Sequence, residues 1–151
     1  MPRRAIIDRA WLDALLALPD GEAEVIRHYT LTPEELRHVA GRRRPHNRFG
    51  FALQLCALRH PGRVIRPGEA VPERIVAHLC EQLDLDASVV GLYAARAPTR
   101  YEHLDAIRTA FGLRGFTQPD FREMSGWLLP VTLATTRGEA VVEALLSELR
   151  R

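Results

Sequence analysis

Lysine is absent from this sequence of 151 residues, so all 21 of its Lys or Arg positions are arginine. Part of this bias is typical of a GC-rich genome and carries no functional information. Guanidinium groups nevertheless differ from ammonium groups, because their planar fork suits bidentate contacts to phosphates and to guanine edges. The bias is compatible with a nucleic-acid partner, but it does not by itself predict one.

Cysteine is also scarce, and the only two, Cys56 and Cys80, occupy apolar positions of helix-like segments. We interpret them as buried small side chains in a reducing compartment, not as a disulfide or as metal ligands. No apolar run reaches the roughly 18 residues that are needed to cross a bilayer. The first residues, MPRRAIIDRA, lack the apolar stretch of a signal peptide. These absences predict a cytoplasmic protein without a membrane partner.

Motifs of catalysis and of cofactor binding are missing as well. The sequence has no glycine-rich phosphate loop, no serine nucleophile elbow and no pair of catalytic carboxylates. The six histidines show neither His-x-x-x-His spacing nor an acidic partner in ligand register: His28, His38, His46, His60, His78 and His103. We therefore expect no metal, no cofactor, no small-molecule substrate and no enzymatic activity of this chain alone.

Positive charge, by contrast, is concentrated in one segment. The thirty residues from Arg37 to Arg66 contain eight arginines and no acid, so this window carries +8 and the remainder of the chain carries −6. The nearest acids are Glu35 before the window and Glu69 after it. Such segregation favours an anionic partner, since a solvated helix end rarely needs so many uncompensated cations.

Helical patterns dominate the sequence, and strand-like alternation is scarce. Thr32, Pro33 and Glu35 form a capping box that predicts a helix over roughly 33–42. A second capping box, Thr99 with Glu102, predicts another helix start. We expect an all-α fold, a compact orthogonal bundle of about seven or eight short helices with a helix-turn-helix-like pair. Residues 1–151 are expected to form one domain, or two small subdomains, 1–66 and 67–151.

The helix predicted over about 46–60 has apolar side chains around most of its circumference. It is therefore expected to be a central, buried helix whose ends alone reach the surface. At its amino-terminal end, free backbone N–H groups, the helix dipole and neighbouring arginines favour phosphate. The predicted DNA-binding residues are Arg42, Arg43, Arg44, His46, Asn47, Arg48, Arg59, Arg63 and Arg66.

Other partners remain open from the residues alone. RNA or an acidic protein would also suit a cluster of arginines. A different class of function, a helical protein-interaction or oligomerisation module, is compatible with the apolar face of the final helix over 139–149.

Two stretches make the sequence resemble a known family: EAEVIRHYTLTPEELRHVAGRRRPHNRFGFALQLCALRHPGR and the later WLLPVTLATTRGEAVVEALLSELRR. They are similar to the N-terminal domain of bacterial replicative transposases of the Tn-three family, a region often catalogued as a domain of unknown function. The resemblance covers nearly the whole chain, and its segment HNRFGFALQLCALRHPGR is a specific signature.

The resemblance implies recognition of transposon terminal inverted repeats in double-stranded DNA. In the family, a distant ribonuclease-H-like domain with three acidic residues cuts and joins strands with magnesium, and that domain has no counterpart here. The implied partners are transposon ends and the remainder of a transposase chain or its other subunits. The implied role is DNA binding without catalysis.

Overall fold

The computed structural model describes residues 7–93 and 97–149, and all regular secondary structure within them is helical. The α-helices are α1 (Arg9–Leu15), α2 (Glu22–Tyr29), α3 (Pro33–Ala40), α4 (Pro45–Arg59), α5 (Glu73–Leu83), α6 (Ala97–Ala110), α7 (Gln118–Ala134) and α8 (Gly138–Leu149). A short 3₁₀-helix, Ala87–Leu92, lies between α5 and α6. The predicted all-α fold is confirmed. No helix in the described ranges is long and apolar enough to cross a membrane.

The chain divides into two compact units. The larger unit is Leu15–Leu113, and the smaller combines the described residues of Met1–Ala14 and Arg114–Arg151. The buried apolar core lies in the larger unit, since its members fall between Val25 and Ile107. The predicted subdivision after residue 66 stays a prediction, and residue 66 lies inside the larger unit.

Helix α3 begins at the capping box that the sequence predicts. The Glu35 backbone N–H donates to Thr32 Oγ1 at 3.2 Å, and the Thr32 N–H donates to Glu35 Oε2 at 2.8 Å. Pro33 occupies the first helical turn, where its missing N–H leaves no bond unmade. The helix ends at Ala40, and the N–H of Gly41 closes its last turn. The turn that leads into α4 therefore begins at Gly41.

Helix α4 is the centre of the larger unit. All nine residues of Phe49–Ala57 are buried, so the helix has no solvent-facing side over this stretch. It packs against α2, α3, α5, α6 and the 3₁₀-helix. The prediction of a central, buried helix whose ends reach the surface is confirmed. Helices that precede α4 in the chain and helices that follow it bury their apolar faces against it.

Two polar or small positions on α4 are explained by its neighbours. Gln54, which is fully buried, accepts from the Ile65 N–H at 3.0 Å and donates to the Ile65 carbonyl at 3.3 Å. This pair satisfies a buried amide and fixes the loop after α4. Gly50 is required because a Cβ there would lie 1.7 Å from Cε2 of Tyr93. The ring of Tyr93 thus crosses directly over the helix backbone.

The predicted capping box at Thr99 is wrong. Helix α6 begins at Ala97, so Thr99 lies inside the first turn of the helix and not before it. Pro98, the next residue, is tolerated there because a first-turn N–H has no intrahelical partner. The proline, not the threonine, was the better local signal.

Both cysteines lie in the core of the larger unit, as predicted, and neither is in a disulfide. Burial raises the pKa of the Cys56 thiol to about 12, with the charge of Glu35 contributing in the same direction and Arg59 opposing it. A thiol so protonated is a poor nucleophile.

Replacing Leu53 with Ala should lower the free energy of unfolding by about 2–5 kcal/mol, because it leaves a cavity in a packed core. Leu53 is 1% exposed. The matched control is Leu92→Ala on the 3₁₀-helix, where the side chain is 59% exposed and a change within about 0.5 kcal/mol is expected. Urea unfolding followed by circular dichroism measures both, and equal effects of the two variants would contradict the placement of α4 in the core.

Candidate nucleic-acid interface

The turn between α3 and α4 forms one wall of a cleft of about 280 Å³. Residues 41–44 and Asn47 line it on this side, and Thr99, Glu102 and His103 of α6 line the other. Arg44 is the N-cap residue of α4, with extended backbone, and Pro45 is in the first turn. The cleft therefore contains three consecutive arginines at the amino-terminal end of a buried helix.

Arg42 anchors this turn to the core. Its Cζ lies 4.6 Å from the centroid of the Phe51 ring, in cation–π contact. Its backbone carbonyl accepts from Nε of Arg48 at 2.9 Å. Its own Nε is buried, without a hydrogen-bond partner among the described residues. The turn is thus held by the side chain of Arg42 and by its backbone carbonyl.

Arg43 and Arg44 differ from Arg42, because both are exposed. In the described part of the chain, neither has a carboxylate within ion-pair distance. The first turn of α4 contains no acidic residue either. Positive side-chain charge and the positive end of the helix dipole therefore coincide here.

The remaining predicted residues at this end are partly buried. Asn47 lines the cleft, and His46 beside it does not. Arg48 is half-buried and is committed to the carbonyl of Arg42. The structure thus brings Arg42, Arg43, Arg44 and Asn47 into one site, with Arg48 supporting it from behind.

Arg59, at the other end of α4, is neutralised. Its Nη2 donates to Glu35 Oε1 at 2.9 Å, and its Nη1 donates to the Thr30 carbonyl at 3.2 Å. The side chain of Glu35 is only 12% exposed, so the pair compensates a carboxylate that is nearly buried. The expectation that every arginine of the segment is uncompensated is wrong for Arg59, because folding brings an acid from the start of α3 to it.

Arg63 is neutralised in the same way. Its two terminal nitrogens donate to both oxygens of Glu69, at 3.0 and 2.6 Å, and its Nε donates to the Leu16 carbonyl at 2.7 Å. These bonds hold the pKa of Glu69 below its usual range, with the Arg63 hydrogen bond as the main cause. Arg66 is exposed, and its backbone N–H also donates to Glu69.

The nine predicted residues therefore fall into two groups. A helix of 15 residues such as α4 spans about 22 Å at 1.5 Å per residue. Arg42, Arg43 and Arg44, which precede α4, line the cleft, whereas Arg59 at its carboxyl-terminal end and Arg63 just beyond it are used in ion pairs. Of the nine predicted residues, those that line the cleft are these three arginines and Asn47.

Three lining residues on α6 were not predicted for this site: Thr99, Glu102 and His103. His103 is 3% exposed, and burial, followed by the charge of Arg42, lowers its pKa to about 4. The imidazole is therefore neutral at physiological pH, and its Nδ1 lies 3.4 Å from Tyr93 Oη. No local pattern links these residues to the α3–α4 turn, because only the packing of α6 on α4 brings them there.

Charged and hydrogen-bonding side chains line the cleft. Guanidinium, amide, hydroxyl and carboxylate groups line it, and together they can donate and accept hydrogen bonds. Within residues 7–93 and 97–149, no group of three or more histidine, cysteine or acidic side chains is placed to hold a metal ion. The site is suited to a polar ligand with net negative charge.

Comparison with known proteins gives consistent matches. Residues 6–151 match the family described as "Domain of unknown function (DUF4158)". The chain is 38% identical over 151 residues to the transposase for transposon Tn21 of Escherichia coli, and 34% identical over 151 residues to that for Tn501 of Pseudomonas aeruginosa. The transposase for Tn1546 of Enterococcus faecium is 30% identical over 128 residues, 85% of this chain. The chain spans 15% of the length of the first two relatives and 13% of the third.

The buried, neutral His103 should make the protein less stable in mild acid. Its folded pKa of about 4 lies below the ordinary 6.5, so the unfolded chain takes up the proton first as the pH falls. Stability from this residue is present above the unfolded pKa and is lost progressively from about pH 6.5 to about pH 4. Urea unfolding across this range should show the fall, and His103→Gln should reduce its slope. An unchanged slope in the variant would contradict a buried, neutral imidazole.

Proposed function

The chain belongs to the DUF4158 family and corresponds to the N-terminal region of transposases of the Tn-three family, and from this premise we propose that it is a DNA-binding module that recognises transposon terminal inverted repeats. The observation that carries the proposal is the pair of exposed arginines, Arg43 and Arg44, which lie in the anchored turn before α4 and lack acidic partners in the described chain. Such groups suit phosphate oxygens of duplex DNA.

The anchoring supports binding in a second way. Arg42 holds the turn on Phe51, and Arg48 holds its backbone, so the turn has a defined conformation before a ligand arrives. A preorganised site loses less conformational entropy on association than a mobile loop does.

The proposed contacts are not spread equally over the predicted residues. Arg42, Arg43, Arg44 and Asn47 form the main site, with His46 and Arg48 beside it, and Arg66 is a secondary phosphate contact. Arg59 and Arg63 act mainly in their ion pairs with Glu35 and Glu69. We further propose that the chain binds without catalysing strand transfer itself, which would be carried out by other regions of the transposase.

Removing both exposed arginines, in Arg43→Ala/Arg44→Ala, should weaken DNA binding and reduce its dependence on salt. If about four phosphates are neutralised in the wild type, the log–log slope is near −3.6, and affinity falls roughly hundredfold between about 50 and 200 mM salt. Loss of two contacts should reduce the slope to about −1.8. Gel-shift titrations with the terminal inverted repeats of the parent element, against a scrambled duplex, measure both quantities.

The matched control is Arg27→Ala/Arg74→Ala, which removes two exposed arginines of α2 and α5 from the same unit. It lowers the net charge equally but leaves the turn intact, so its slope should stay near that of the wild type. If the salt slope fell by the same amount in both double variants, the net positive charge of the chain would explain binding, and a specific site on the turn would not. A wild-type protein that binds neither duplex at low salt would refute the proposed function.

A second candidate function, protein interaction, is favoured by the smaller unit. Helices α7 and α8 pack together, yet neither contains a fully buried residue. Phe121, Leu129 and Leu133 recur at multiples of four along α7 and are 59, 60 and 80% exposed. An apolar stripe of this kind is typical of an interface. We therefore propose that the contact lies on α7, whereas the sequence suggested the final helix, on which Leu149 is exposed.

If α7 mediates self-association, Leu129→Ser/Leu133→Ser should shift the chain towards monomer without weakening DNA binding. Sedimentation velocity over a concentration series measures the shift. The control, Ile26→Ser/Leu92→Ser, removes two apolar side chains of the larger unit that are 51 and 59% exposed. A wild type that stays monomeric throughout, or a control with the same effect, would count against this second function.

A further inference from the structure

Glu102 is an anomaly in a site for an anion. It is the one acidic side chain among the described residues that line the cleft, which otherwise presents three arginines. It is exposed on α6, and within residues 7–93 and 97–149 it forms no ion pair with any of them. Its carboxylate therefore remains available to a ligand.

A carboxylate in this position would weaken the binding of a phosphate alone. Like charges in one cleft repel, so a site that only held the DNA backbone would bind better without Glu102. An ionised carboxylate can only accept hydrogen bonds. The ligand atoms that it favours are consequently N–H or O–H donors, and the phosphate groups of the DNA backbone have neither.

Duplex DNA offers such donors on its base edges. In the major groove these are the exocyclic amino groups of cytosine and of adenine, and acidic side chains accept from cytosine in known complexes. Asn47 lines the same cleft from α4 and carries both a donor and an acceptor. Two side chains whose chemistry suits base edges and two exposed arginines therefore line one cleft.

We propose that Glu102 is a specificity-determining residue, whose carboxylate accepts a hydrogen bond from the exocyclic amino group of a cytosine or an adenine while Arg43 and Arg44 contact neighbouring phosphates. This inference rests on the proposed DNA-binding function. Glu102 lowers affinity for arbitrary DNA through charge repulsion and restores it where a base supplies the matching donor, so it increases the ratio of specific to non-specific affinity.

The test compares Glu102→Gln and Glu102→Asp with the wild-type chain by fluorescence anisotropy, on the inverted-repeat duplex and on a scrambled duplex of the same composition. Glu102→Gln removes the repulsion and should strengthen binding to the scrambled duplex, while the ratio between the two affinities falls about tenfold. Glu102→Asp keeps the negative charge, but its side chain is shorter by one methylene, so the carboxylate no longer reaches the base. This variant should bind the scrambled duplex as weakly as the wild type does, and the ratio of the inverted-repeat affinity to the scrambled affinity should still fall.

Glu81→Gln is the charge-matched control, since it removes an exposed acid of α5 that does not line the cleft. Its ratio should equal that of the wild type. An equal gain on both duplexes in Glu102→Gln, with an unchanged ratio, would overturn the base-reading role and leave the arginine site standing. A wild type that binds neither duplex would instead overturn the proposed function on which the inference rests.

Discussion

Apolar packing around α4 is the constraint on which the larger unit depends, because each of its other described helices contacts this one. The nine residues of Phe49–Ala57 are all buried, so the helix is enclosed on every side over this stretch. Burial of a single large apolar side chain stabilises a fold by roughly 1.5–3 kcal/mol. The burial of several such side chains therefore contributes more to stability than the interactions among surface charges do. The positions of both ends of α4, and of the arginines at them, follow from this core.

The two ends use the same residue type for different purposes. At the carboxyl-terminal end, Arg59 pairs with Glu35, whose side chain is 12% exposed, and Arg63 pairs with Glu69 through two bonds. Removal of one partner from such a pair would leave an uncompensated charge and destabilise the fold, so these arginines contribute to stability. At the amino-terminal end, no ion pair among residues 7–93 and 97–149 accounts for the exposed arginines of the turn. Their role is therefore better sought in a ligand than in the fold.

The smaller unit has a different physical character. Helices α7 and α8 bring together apolar faces but enclose no fully buried residue, and large apolar side chains such as Leu133 remain mostly exposed. The larger unit instead combines a closed core with a polar cleft. The two proposed functions thus draw on separate units, DNA binding on the cationic cleft and protein contact on the stripe of α7, and they are not exclusive of one another.

The sequence by itself determined what depends on neighbours along the chain: the helical class, the capping box at Thr32, and the cluster of arginines at the start of α4. It misplaced the start of α6 at Thr99, since a proline one residue earlier offered a competing local signal. Only the tertiary structure decided which arginines have an acidic partner in the described part of the chain, because Arg59 meets Glu35 across 24 positions of the chain. It also decided that Glu102 faces the cationic turn. Ion pairs and cleft walls join residues that are distant in sequence, and no local pattern encodes their distance in space.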